Sequence, residues 1–251
     1  GEEVVFLVDS LTDFNDPRAE TVDERGFIEM RYDREMGLKS RFTGSVSYDG
    51  YWYKGAYPYS GSLSRDYGNG QWLTGEAQTI TTFGDRHKVI GGAEVRYNAR
   101  QDQSYYDTNP YFLYLDDRRT TSFHAVYAQD EYRARDNLIL NFGVRHDNYE
   151  TFGGTTNPRV GVIYAVRPAT TLKFLYGRAF RAPNVYELFY DDGGLSQKAN
   201  PDLQPESIQT YEIALENSFH NRLRTAASIY RYGIDNLPMT LKPVQRPHPQ
   251  L

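Results

Sequence analysis

The chain has 251 residues and a formal net charge of −5 at pH 7, which argues against a nucleic-acid-binding protein because such a protein would present a basic face. It contains no cysteine, which excludes disulfides, thiolate metal sites and cysteine nucleophiles. No segment approaches the roughly 18 consecutive apolar residues that a membrane-spanning helix needs.

Apolar residues at every second position predict ten β-strands. In chain order they cover residues 26–34, 40–50, 70–83, 87–98, 121–132, 137–148, 157–166, 171–180, 207–218 and 222–233. The first 25 residues are expected to be a loop that leads into the first strand. Residues 237–251 contain four prolines, which remove donors from a β-ladder, and are expected to form an irregular tail.

The predicted connections alternate in length. Short connections with Gly, Pro, Asp or Asn fall at residues 34–40, 83–88, 133–137, 166–171 and 218–222, and longer polar ones fall near 50–70, 99–121, 148–157 and 181–205. Outer-membrane barrels have short periplasmic turns and long extracellular loops. The pattern therefore predicts an all-β fold, an antiparallel transmembrane β-barrel segment of about ten strands.

Periodicity alone leaves a soluble sandwich open, since its apolar faces would pack on a second sheet. Two features favour the barrel. The predicted strands have about ten residues, whereas strands in soluble proteins average about 5–6. Their polar faces also carry formal charge, as a wet lumen permits, at Glu94, Arg96, Arg145, Glu212 and Glu216.

Tyrosine is unusually frequent, with 22 residues. A tyrosine ring offers a large contact area at a low cost in conformational entropy, as in antibody paratopes. The candidate ligand contacts in the predicted loops are Tyr105, Tyr106, Tyr111, Tyr114 and Tyr190. The alternative is that these rings extend the wall above an aromatic girdle.

The sequence offers no catalytic constellation. It lacks a GxSxG elbow, a Walker loop and an HExxH motif. The pairs Asp116-Asp117 and Asp191-Asp192 do not have the alternate spacing of an EF-hand loop. We therefore expect no enzyme activity, no cofactor and no metal site.

Two sequence boxes near the last predicted strands carry a family resemblance. The segment YGRAFRAPNVYEL (176–188) ends one strand and NPDLQPESIQTYEIALE (200–216) begins the next. With YAQDEYR (127–133) and FNDPRAETVDERGF (14–27), they resemble TonB-dependent outer-membrane receptors, which are gated importers of scarce nutrients. The box residues expected to shape the base of the intervening loop are Arg178, Phe180, Arg181, Pro183, Asn200, Pro201 and Leu203. Arg178 and Arg181 are expected to pair with Glu187, with Glu206 or with a lipopolysaccharide phosphate.

The resemblance implies a piece of a barrel of about 22 strands, without the plug domain and both barrel ends. It implies a bacterial outer-membrane location, contact with membrane lipid and a small nutrient ligand such as siderophore-bound iron or cobalamin. Energy would come from the TonB–ExbB–ExbD complex through the plug. The alternatives are a passive porin or channel and a soluble all-β carbohydrate-binding module or enzyme.

Overall fold

The computed structural model describes residues 15–59, 62–194, 197–219 and 222–237, and these form one antiparallel sheet and one short helix. The strands are β1 Glu20–Glu35, β2 Ser40–Tyr59, β3 Ser62–Phe83, β4 His87–Thr108, β5 Tyr111–Asp117, β6 Thr121–Arg135, β7 Leu138–Tyr149, β8 Gly153–Arg167, β9 Thr170–Arg181, β10 Glu206–Phe219 and β11 Leu223–Asp235. Helix α1 covers Val185–Phe189. Neighbours in the sheet follow chain order, except that β5 pairs only with β4, which also pairs with β6.

The all-β antiparallel prediction is confirmed, with one strand more than expected. Strand β1 begins at Glu20, earlier than the predicted start at residue 26. Residues 1–14 of the expected leading loop and residues 238–251 of the expected tail lie outside the described residues.

One face of the sheet, here called the outer face, is apolar and open. The register places Tyr48 opposite Leu73 and Leu73 opposite Tyr97, and these side chains are 45%, 49% and 53% exposed. The same alternation pairs Tyr176 with Tyr211 further along the sheet, with ring centroids 5.0 Å apart. A continuous apolar surface of this kind needs an apolar environment.

Two of the predicted long loops are wrong. Residues 50–70 and 99–121 are mostly strand, because β2 and β3 continue to Tyr59 and from Ser62, and β4 continues to Thr108 before β5. Glycines made the first of these segments, residues 50–70, look like a loop. In the structure Gly68 lies opposite Tyr53 and Gly70 lies opposite Tyr51, so each glycine makes room for a tyrosine in a regular ladder.

The hairpins formed by β2, β3 and β4 are long. Each of these strands has 20 to 22 residues, about twice the 9–11 residues that cross a membrane. A register shift between Gln71 and Trp72 leaves Ala99 as an extra residue in β4. Beyond this bulge, Arg100 pairs with Gln71 and Ser104 pairs with Tyr67, and both partners lie on the same face of β3 as Leu73. The outer face of β4 is therefore continued there by Arg100, Asp102, Ser104 and Tyr106.

Candidate ligand vestibule

One arginine closes the base of the connection between β9 and β10. Arg181 donates to both carboxylate oxygens of Glu187, at 2.9 Å each, and to Glu206 Oε1 at 2.7 Å. These hydrogen bonds lower the pKa of both carboxyl groups and raise the pKa of the guanidinium. The arginine thus pairs with both carboxylates that the sequence offered it and forms a charged clamp.

Helix α1 is a capped turn that follows this clamp. Pro183 is buried and precedes Asn184, the extended residue that caps the start of α1. The Asn184 side chain accepts from the Glu187 backbone N–H at 2.9 Å, and Glu187 Oε2 accepts from the Asn184 backbone N–H at 2.9 Å. This reciprocal pair is a capping box, which satisfies donors that a helix start leaves free.

The second box docks on the end of α1. The Asn200 backbone N–H donates to the Leu188 carbonyl at 2.9 Å, and the Leu203 N–H donates to the Asn200 carbonyl at 3.2 Å. Leu188 is 3% exposed, whereas Pro201 lies on the surface of the turn. These contacts support a structural role for this box at the loop base.

The remaining residues of the first box lie on β9. Phe180 packs its ring edge-on to Tyr149 and Phe152, with centroids 5.9 and 6.4 Å apart. Arg178 is exposed on the same strand. Phe180 therefore joins the end of β9 to the β7–β8 hairpin, while Arg178 leaves its charge accessible to solvent.

The loop crosses the sheet and packs on the inner face of the long hairpins. Gln103 of β4 donates to the Val185 carbonyl at 3.1 Å. The Arg119 guanidinium lies 3.5 Å from the centre of the Phe189 ring, a cation–π contact. These contacts connect residues 82 and 70 positions apart in sequence, so they fix the loop over the interior of the wall.

Three of the five candidate tyrosines meet at this contact. The Tyr105 ring lies 5.1 Å from Tyr114 and 6.1 Å from Tyr190. Tyr114 donates to Asp107 Oδ2 at 2.7 Å, and Tyr190 donates to Asp66 Oδ2 at 3.3 Å. We call Tyr105, Tyr114, Tyr190, Asp66 and Asp107 the vestibule cluster.

The vestibule cluster is only partly hydrated. Burial raises the pKa of Asp66, although the hydrogen bond from Tyr190 opposes this shift. Burial and the hydrogen bond to Asp107 raise the pKa of Tyr114 to about 12. Burial and the nearby Asp66 carboxylate raise the pKa of Tyr190. At neutral pH Tyr114 and Tyr190 are therefore protonated, and they donate to Asp107 and Asp66.

The other two candidate tyrosines lie on the opposite side of the wall. Tyr106 follows Tyr105 in β4 and so points to the outer face. Its ring stacks on Tyr67 at 6.2 Å and lies 5.7 Å from Tyr111. The structure therefore does not bring Tyr106 and Tyr111 to the vestibule cluster.

Below the vestibule, the inner face carries a charged network. Arg145 bridges Glu94 and Asp147, with both distances 2.8 Å, and Asp147 is 1% exposed. Tyr127 donates to Glu76 Oε1 at 2.7 Å. The charges predicted on the polar faces at Glu94 and Arg145 thus pair with each other across β4 and β7 on the wall.

Some residues of the site have no local sequence signal. Asp66, Gln103 and Arg119 join the vestibule only because the loop folds across the sheet. The capping box is different, because Asn184 followed by Glu187 three positions later is a recognisable start signal for a helix.

Within the residues that the structure describes, no helix is long and apolar enough to cross a membrane. The same residues contain no group of three or more His, Cys, Asp or Glu side chains arranged to hold a metal ion.

A sequence model of the family described as "TonB dependent receptor-like, beta-barrel" matches residues 7–246. The chain belongs to this family. Members are outer-membrane transport receptors, and the antiparallel wall of this chain, with its apolar outer face and charged inner face, has the corresponding architecture. The predicted family, fold and outer-membrane location are thus confirmed.

Curated relatives and solved structures agree with this assignment. The chain is 33% identical over 115 residues to an iron-regulated outer membrane virulence protein of Vibrio cholerae and 28% identical over 137 residues to the vitamin B12 transporter BtuB of the same species. These matches cover 44% and 55% of the chain, but only 17% and 20% of the relatives' lengths.

The solved structures show the same fold at low identity. The copper transporter OprC matches with a TM-score of 0.70 at 14% identity, over 86% of this chain and 40% of OprC. The ferric yersiniabactin uptake receptor FyuA from Yersinia pestis matches with a TM-score of 0.67 at 13% identity, over 90% of this chain and 38% of FyuA.

Proposed function

We propose that the complete receptor imports a scarce small nutrient, such as siderophore-bound iron or cobalamin, across the outer membrane. Family membership carries this proposal. Its relatives include the vitamin B12 transporter BtuB and a ferric enterobactin receptor. In this proposal, the TonB–ExbB–ExbD complex supplies energy through a plug domain, and the segment has no catalytic role.

The loop that packs on the inner face gives the segment a place in this function. The vestibule cluster presents phenol donors, carboxylate acceptors and aromatic rings toward the barrel interior. A few polar groups among aromatic walls are typical of small-molecule sites. We propose that Tyr105, Tyr114 and Tyr190 contact the nutrient on its way to the lumen, or hold the loop that does.

Uptake of labelled nutrients tests the proposal. Cells that carry the complete receptor would be offered radiolabelled cobalamin and a panel of ferric siderophores, with and without a functional TonB. The proposal expects saturable uptake of one of these classes that is lost without TonB. Uptake that persists without TonB and does not saturate would instead indicate a passive channel.

A matched pair of variants tests the role of the vestibule. Tyr114→Ala should raise the KM for the transported nutrient by about tenfold, since it removes a ring and a hydrogen bond on the inner face. Tyr111→Ala removes the same side chain from the outer face and should leave KM unchanged. Equal effects of the two substitutions would contradict a role for the inner tyrosines.

A further inference from the structure

The outer face of the long hairpins continues upward from the lipid-facing wall. Tyr48 and Trp52 lie on the same face of β2, as do Leu73 and Tyr67 on β3, because the members of each pair are an even number of positions apart. Trp52 is four residues beyond Tyr48, or about 13 Å along the strand. This upper surface therefore stands directly above the apolar band.

The upper outer face contains a groove of about 420 Å³. Aromatic side chains line it, with Tyr67 and Tyr106 stacked at an interplanar angle of 19° and Tyr111 packed at one end. Trp52 is 38% exposed and Tyr111 is 66% exposed. Tyrosine and tryptophan combine an apolar ring with a polar tip, which suits a surface between acyl chains and water.

Two arginines flank these rings. Arg100 and Arg118 line the groove, and their side chains are 51% and 75% exposed. The Nε atom of each lies 3.4 Å from an aspartate carboxylate, that of Asp102 and Asp116 respectively. A guanidinium has five N–H donors, so both arginines keep donors that point away from these weak contacts and can bind phosphate in a bidentate way.

We propose that this groove binds the phosphorylated core sugars of lipopolysaccharide in the outer leaflet. The position of the groove fits this ligand. If the acyl chains of lipopolysaccharide cover Tyr48, Leu73 and Tyr97, its sugar-phosphate headgroup lies beside the upper outer face. The chemistry fits as well, since flat rings stack on sugar rings and arginines pair with phosphates. Tyr106 and Tyr111 thereby acquire a role on the opposite side of the wall from the vestibule.

Binding of purified complete receptor to defined lipopolysaccharides tests the proposal. The probes are a lipopolysaccharide with a phosphorylated core, the same molecule after dephosphorylation of the core, and lipid A alone, each measured by native mass spectrometry in detergent. The phosphorylated core should bind at least tenfold more tightly than lipid A. The double variant Arg100→Ala/Arg118→Ala should lose that advantage, and Tyr106→Ala/Tyr111→Ala should weaken core binding at least threefold.

A charge-matched control separates the groove from general basicity. Arg34→Ala/Arg86→Ala removes two exposed arginines near the opposite ends of β1 and β3 and should bind the phosphorylated core as the unmodified receptor does. Equal binding of core lipopolysaccharide and lipid A overturns the proposal, and so does unchanged core binding by the Arg100/Arg118 variant. Nutrient uptake is measured in parallel, so failure of the groove and failure of the transport proposal are separate results.

Discussion

The docked loop rests on a small number of contacts, and Tyr190→Phe removes one of them without changing the ring. Tyr190 is 6% exposed and lies against Tyr105, and its hydroxyl donates to the partly buried Asp66. The substitution leaves the packing in place and deprives the carboxylate of this donor.

The expected cost follows from that geometry. Loss of one partner from a buried hydrogen bond costs roughly 1–3 kcal/mol, and the donor–acceptor distance of 3.3 Å places this one at the low end. A cost of about 1 kcal/mol increases the open population of the loop about fivefold. Tyr190→Ala also removes the buried ring and should cost about 3–5 kcal/mol, the range for large aromatic truncations.

Amide hydrogen exchange measures this opening directly. The amides of Leu188, Tyr190 and Asn200 are hydrogen bonded within the docked loop, so their exchange rates should rise about fivefold in Tyr190→Phe. Tyr186→Phe makes the same chemical change four residues earlier, within α1, at a residue that is 47% exposed. It should change the free energy of opening by less than about 0.5 kcal/mol.

The three tyrosine variants also define the contrary result. If Tyr190→Phe and Tyr186→Phe leave exchange equally unchanged, the hydrogen bond to Asp66 does not hold the loop. If even Tyr190→Ala leaves the amides protected, the loop does not depend on its contact with the inner face.

Three further predictions concern the same loop. Asn184→Ala should cost about 1 kcal/mol of α1 stability by removing its cap, measured as faster exchange of the Glu187 amide. Gly193→Ala should open the loop more than Gly194→Ala in a protease-sensitivity assay. Both glycines have φ near +80°, but only at Gly193 would a Cβ lie 3.1 Å from the Tyr114 ring. Equal protease sensitivity of the two variants would argue against that contact. Arg181 lowers the pKa of Glu187 below 4.5, the usual value for a glutamate. The stabilisation from this pair is therefore fully present above pH 4.5 and is lost as pH falls through the lowered pKa. For this partly exposed pair the effect is about 0.5 kcal/mol. It is measured by amide hydrogen exchange of the loop, corrected for the pH dependence of the intrinsic rates. In Arg181→Gln the loop should show no such loss of protection at low pH.

The sequence predicted the wall well because period-two alternation is a local property. Val95 and Tyr97 alternate with Glu94 and Arg96, and the structure places the two sets on opposite faces. The upper part of the β2–β3 hairpin was missed for a local reason too, since Gly68 and Gly70 are turn residues in most contexts. Only the partner strand shows that each faces a tyrosine.

The vestibule could be predicted only in part. Tyrosine frequency nominated five side chains, but a one-residue difference in strand position separates Tyr105 from Tyr106. The contact of Tyr190 with Asp66 joins residues 124 positions apart. No periodicity encodes it, because it depends on how an irregular loop folds back over the sheet.

The central claim is that one face of this wall meets lipid and the other meets an aqueous lumen. This chain has no cysteine of its own. Single cysteines can be introduced into it within a complete receptor whose other cysteines, if any, are replaced by serine, and labelled in outer membranes with a charged maleimide. Ser47 and Thr74 face each other on the inner face, whereas Val46 and Leu73 lie on the outer face. The account predicts labelling of Ser47→Cys and Thr74→Cys at least tenfold faster than Val46→Cys and Leu73→Cys. The account would be contradicted if Ser47→Cys reacted no faster than Val46→Cys and Thr74→Cys no faster than Leu73→Cys.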